Sequence, residues 1–85
     1  MLTLYLRREV PLVEAVHQLA VDHRLTDREE EALIGLAMGL SSKELAERMK
    51  ISPNTVKAFV RLAMIKMGAS SRARLMAKVL DRQTG

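Results

Sequence analysis

The sequence predicts an all-α fold, a four-helix unit with one further helix in front of it, and three observations lead there. Apolar residues recur at three- and four-residue spacing along most of the 85-residue chain, the period of one helix face. A Ser or Thr followed three residues later by Glu occurs twice, the reciprocal capping pattern that starts helices. Strand-like alternation is confined to Leu2-Thr3-Leu4-Tyr5-Leu6. A lone strand has nothing to pair with, so this stretch reads as a helix or an arm. A chain of this length holds one small domain. Only Tyr5 and Phe59 are aromatic, while hydrophobic residues make up 48% of the chain, so the core must be aliphatic.

Pro11 suits the first turn of a helix, where its missing N–H costs nothing. Leu12, Val13, Val16, Leu19, Ala20 and His23 then give an amphipathic helix over 11–23. Thr26-Asp27-Arg28-Glu29 is the first capping box. Asp27, Glu29, Glu30 and Glu31 crowd the next turns, where the helix dipole favours acids. Capping and dipole complementarity account for these carboxylates without acid–base chemistry. Ala32, Leu33, Leu36, Ala37 and Leu40 form the buried stripe of a helix over 27–38, and Gly39 stops it. Ser41-Ser42-Lys43-Glu44 is the second box and opens a short helix with Leu45, Ala46 and Met49 inward. Ser52-Pro53 is an N-cap followed by proline at the first helical position. The helix over 53–67 buries Val56, Phe59, Val60, Ala63 and Met67 and ends at Gly68. Ser71 caps a last helix over 72–81, with Leu75, Met76, Val79 and Leu80 on one side. The chain thus divides into an N-terminal helical extension (1–24), a helical domain (25–82) and a frayed tail (83–85).

Charge is distributed unevenly. Residues 1–40 carry four basic side chains against seven acids, net −3, and residues 41–85 carry ten against three, net +7, which sum to the overall +4. A basic half beside an acidic half suggests a polyanion on one face, with a solvated basic surface as the plainer alternative. No cysteine is present, which removes disulfides, thiolate nucleophiles and Cys-based zinc sites. His17 and His23 lie six residues apart with no third ligand, so no metal or other cofactor is expected. No nucleophile–base pair or Gly-rich phosphate loop occurs, and the expectation is no enzyme. No apolar run approaches the ~20 residues of a membrane span and no signal peptide is visible, which makes the cytoplasm the expected location.

The pair of helices 42–49 and 53–67 is where function concentrates. A short helix, a connection of about three residues at Lys50-Ile51-Ser52, and a longer helix form a helix-turn-helix. The first helix braces the second, whose N-terminal half enters the major groove. That task requires small or polar residues at the N-terminus, here Ser52, Asn54 and Thr55, and basic side chains one turn apart, here Lys57 and Arg61. Ala58 between them is small enough to touch a thymine methyl.

Leu25-Thr26-x-Arg28-Glu29-x-Glu31, Gly39-x-Ser41-x-Lys43-Glu44-Leu45-Ala46, Ile51-Ser52-x-x-Thr55-Val56-Lys57 and Lys66-Met67-Gly68 resemble the LuxR-type (FixJ/NarL, GerE-like) DNA-binding domain. The resemblance runs from about Leu25 to Leu80. It implies a four-helix domain that binds double-stranded DNA as a homodimer, commonly as the output module of a response regulator. By resemblance, base contacts fall on Lys57, Ala58 and Arg61. Phosphate contacts fall on Lys43, Ser52, Thr55 and Lys66, with Asn54 beside them in the same polar turn, and dimer contacts fall on Leu75, Met76, Val79 and Leu80. The chain departs from the family in having Phe59 where histidine is usual, read as a packing change. It also has Leu62 and Ile65 where polar or basic side chains are usual.

Two other readings stand beside this one. With Ala58, the residues Leu62 and Ile65 form an apolar stripe outside the core stripe, and such a stripe wants a partner surface. A module that kept the fold but binds protein through this face, covered by the N-terminal helix or a partner, would account for it. The Leu-Thr-x-Arg-Glu opening is also similar to the promoter-reading domain of sigma factors, in which case core RNA polymerase is a partner. The Gly39-x-Ser41-x-Lys43-Glu44 and Lys66-Met67-Gly68 elements fit the LuxR type better. Either RNA polymerase or a regulatory protein remains a partner compatible with the LuxR reading.

Overall fold

The computed structural model describes residues 11–84, and among these all regular secondary structure is helical. Five helices follow in order: α1 Leu12–His23, α2 Asp27–Ala37, α3 Ser42–Met49, α4 Pro53–Met67 and α5 Arg72–Thr84. The Leu2–Leu6 stretch and Gly85 lie outside the described residues. The boundaries follow the local chemistry closely. Thr26 accepts a hydrogen bond from the Glu29 N–H and Glu29 accepts one from the Thr26 N–H, and Ser41 and Glu44 repeat the arrangement. The Ser41 backbone N–H and hydroxyl hold the Glu44 carboxyl below its ordinary range. Ser52 caps α4, with Pro53 at its first position and Gly68 in the left-handed conformation at its end.

Three expectations need correcting. Pro11 is the N-cap of α1, with φ −53° and ψ 148°, not a residue of its first turn, because its ring supplies the fixed φ without requiring helical ψ. Phe59 is half-buried, packed against the core rim instead of within it. The last helix runs three residues beyond position 81, so Gln83 and Thr84 are helical; the Thr84 hydroxyl donates to the carbonyls of Leu80 and Asp81.

The core is aliphatic and draws on every helix, with Val16, Leu19, Leu33, Leu45, Met49, Val56, Val60, Met67, Leu75 and Val79 all buried. The helices α2, α3 and α4 pack on one another, and α1 packs on α2 and α5. Arg82 fixes that last contact, with Nη2 2.6 Å from Asp22 Oδ2 and Nη1 3.4 Å from Gln18 Oε1. It is therefore a tie between helices, unlike the solvated Arg72, Arg74 and Lys78.

Gly35 lies in the middle of α2, a position where glycine weakens a helix by about 1 kcal/mol relative to alanine. A Cβ there would collide with Cδ1 of buried Leu45 and lie 2.9 Å from its Cδ2. The missing side chain lets α3 seat directly on α2. Gly35→Ala should therefore cost stability, because overpacking costs of about 1–3 kcal/mol outweigh the helix-propensity gain. A net loss of about 1 kcal/mol is expected in thermal or urea unfolding. A melting temperature at or above that of the unmodified chain would refute the close-approach role.

Candidate nucleic-acid interface

The helices α3 and α4 meet through a tight turn. Lys50 takes φ 59° and ψ 45°, a left-handed conformation uncommon for a side-chain-bearing residue, and the Ile51 N–H donates to the Ala46 carbonyl at 3.0 Å. Arg28 reaches across from α2, donating from Nη1 to the Met49 carbonyl at 3.3 Å and to Glu31 at 3.2 Å. It thus caps the end of α3 just before the turn.

Beyond the turn, Ser52 Oγ accepts from the Thr55 N–H at 3.2 Å and shares a hydrogen bond with Thr55 Oγ1 at 2.8 Å. The first turn of α4 carries no acid, unlike those of α2 and α3. The positive end of its dipole is therefore uncompensated, as suits an anion. Ser52, Asn54, Thr55, Lys57, Ala58 and Arg61 are all exposed, opposite the buried Val56, Val60, Ala63 and Met67, and Lys43 is exposed on the adjoining α3. Six of the eight nucleic-acid candidates thus lie on α4's open side, with Lys43 next to them.

Lys66 is placed differently. Its Nζ lies 2.7 Å from Glu29 Oε1 and donates to the Arg24 carbonyl at 3.2 Å. Its ammonium is thus engaged by the chain itself while the residue stays exposed, which leaves less of its charge for a phosphate than Lys43 offers. Glu29, 3% exposed, is more than the capping carboxylate the sequence suggested. Its burial raises the carboxyl pKa, but the hydrogen bond from Lys66, the Thr26 N–H and the Lys66 charge outweigh that and leave it lowered. Sequence periodicity missed this pair because its members are 37 positions apart.

The dimer candidates also divide. Leu75 and Val79 are buried at 0% and 1% exposure and belong to the core. Their stripe closes the domain, so they are not an outward surface. Met76 is half-buried and Leu80 is 60% exposed. Because α1 packs on α2 and α5, it leaves Lys57, Leu62 and Ile65 exposed. His17 Nδ1 is 2.9 Å from Glu30 Oε2, and among the described residues no group of three metal-ligating side chains forms. Among the described residues, no helix is long and apolar enough to cross a membrane.

A short bracing helix, a tight turn and a longer helix with an open polar N-terminal half define a helix-turn-helix DNA-binding domain of a transcription regulator. Residues 23–79 match the family of bacterial regulatory proteins called the luxR family (GerE). The chain belongs to the LuxR family, and that match favours the LuxR-type reading over the sigma-factor-like one. It is similar to a nitrate/nitrite response regulator protein homolog of Haemophilus influenzae, 39% identical over 61 residues, covering 72% of this chain and 29% of that protein. It is also similar to the nitrate/nitrite response regulator protein NarP of Escherichia coli, 44% identical over 48 residues, covering 56% of this chain and 22% of that protein. The chain thus spans less than a third of the length of either relative. No solved structure matches significantly.

The sign of the Glu29 shift sets a pH dependence. A carboxyl whose folded pKa is lowered contributes stability that is present above its unfolded pKa of about 4.3 and is lost as pH falls through the folded value. Glu29→Gln should lower stability at neutral pH by about 1–3 kcal/mol and flatten the loss between pH 5 and 3. Urea unfolding at a series of pH values checks this. An unchanged acid limb in the variant would show that the pair does not anchor α4.

Proposed function

We propose that the chain binds double-stranded DNA sequence-specifically as a homodimer and serves as the output module of a cytoplasmic response regulator. In this reading, Lys57, Ala58 and Arg61 read bases, while Lys43, Ser52, Asn54 and Thr55 hold phosphates. The carrying observation is the exposed, acid-free N-terminal half of α4, with Lys57 and Arg61 one turn apart and neither engaged in an ion pair among the described residues. Family membership and the response-regulator relatives support the same reading. RNA polymerase or a regulatory protein is the further partner this role calls for.

Base and phosphate contacts have distinct signatures. A bidentate Arg or Lys contact to guanine contributes about 1–3 kcal/mol of discrimination. Arg61→Ala should therefore narrow the gap between specific and scrambled duplexes by about tenfold or more, with the fold intact. Lys43→Ala should weaken both duplexes equally and reduce the salt slope by roughly one unit. Lys66→Ala should instead lower stability. Anisotropy titrations on both duplexes at two salt concentrations read all three. Equal loss on both duplexes for Arg61→Ala overturns its base-reading role.

For self-association, the available apolar surface of α5 is Met76 and Leu80. These share a face four residues apart. Met76→Glu or Leu80→Glu should lower dimer content while helicity is kept, whereas Val79→Glu should unfold the domain. Sedimentation showing the unmodified chain to be monomeric at micromolar concentrations, with and without DNA, would overturn the dimer.

A further inference from the structure

The exposed side of α4 is not uniformly polar. Leu62 is 42% exposed and Ile65 is 68% exposed, and with exposed Ala58 they form one ridge at i, i+4 and i+7, opposite the core-facing stripe. The α1 helix packs elsewhere, and the Lys66 ammonium is drawn to Glu29, so neither overlays the ridge. Whatever covers it must also satisfy Lys57 and Arg61 on the adjoining face, which calls for an anionic frame with apolar points inside it. The major groove of DNA meets both demands, because its edges are phosphate and its apolar feature is the thymine C5-methyl group.

We infer that Leu62 is a specificity-determining residue that reads a thymine methyl in the major groove, one turn beyond the base position facing Ala58. The inference rests on the proposed DNA reading. Leu62 lies about 6 Å along the helix axis from Ala58, close to two base-pair rises of about 3.4 Å. The two side chains therefore address thymines about two steps apart. The apolar ridge extends direct readout from hydrogen bonding by Lys57 and Arg61 to methyl contact, and it biases the preferred site towards thymine in that register.

Deoxyuridine supplies the test, since it differs from thymidine only by the methyl group. A duplex enriched from a random pool by the full chain is resynthesised with each thymidine replaced singly by deoxyuridine. Replacement at the Leu62 position should weaken binding about fourfold, the burial of one methyl-sized group. Leu62→Ala should abolish that difference at that position alone, and Leu62→Met, which keeps an apolar side chain of similar volume, should retain it. Circular dichroism establishes that both variants fold. If the unmodified chain binds specifically yet no thymidine is methyl-sensitive, the methyl contact is overturned while the DNA reading stands. Methyl sensitivity that Leu62→Ala removes at no position overturns the contact in the same way, whereas sensitivity at the thymidine facing Ala58 should survive the substitution. If no duplex is enriched, both fall.

Discussion

The Glu29 carboxylate is where the domain's separate parts are tied together. One oxygen accepts from the Thr26 N–H at 2.9 Å and from Lys66 Nζ at 2.7 Å, and Lys66 reaches on to the Arg24 carbonyl. The start of α2, the end of α1 and the C-terminal half of α4 thus converge on a single buried charge. Burying a carboxylate is unfavourable unless it is paired and hydrogen-bonded. Any rotation of α4 that moved Lys66 away would leave that charge exposed to the penalty. The orientation of the helix proposed to face DNA is therefore held from its far end by an ion pair, and from its near end by the Ser52 cap and the Lys50 turn.

This arrangement also separates the two uses of positive charge. Lys66 and Arg82 are engaged within the fold, on Glu29 and Asp22, and Arg28 spans from α2 to the end of α3. Lys43, Lys57 and Arg61 stay exposed around the turn. The acids cluster at the starts of α2 and α3, where they complete caps, and are absent from the first turn of α4. The exposed basic side chains of the second half of the chain thus fall in two places, Lys43, Lys57 and Arg61 around the end of α4 proposed to enter the groove, and Arg72, Arg74 and Lys78 on α5.

Most of the fold was legible because its signals are local. Capping boxes, Ser52-Pro53, and the Gly39 and Gly68 stops act within a few residues, and the helix periods identify Val56, Val60 and Ala63 as inward without reference to any partner. The exposed residues Lys57, Ala58 and Arg61 follow from the same wheel. The assignments that the structure moved between core and surface all depended on which face a neighbour covers. Leu75 and Val79 share a stripe with Met76 and Leu80, and helical spacing alone does not divide that stripe into core and surface. Phe59 sits at the edge of its stripe and stops at the core rim for the same reason.

By itself, the sequence determined the helices, their order, the turn and the side of α4 that faces outward, because hydrogen-bond satisfaction at helix ends and 3.6-residue periodicity are properties of short segments. Only the tertiary structure decided the rest. It paired Lys66 with Glu29, gave Arg28 and Arg82 their bridging roles, made Gly35 a point of helix contact and sent Leu75 and Val79 inward. Each of these depends on residues brought together from distant positions. A charge seeks the nearest opposite charge or carbonyl in space, and an apolar face seeks whichever surface packs on it, so neither choice can be read along the chain.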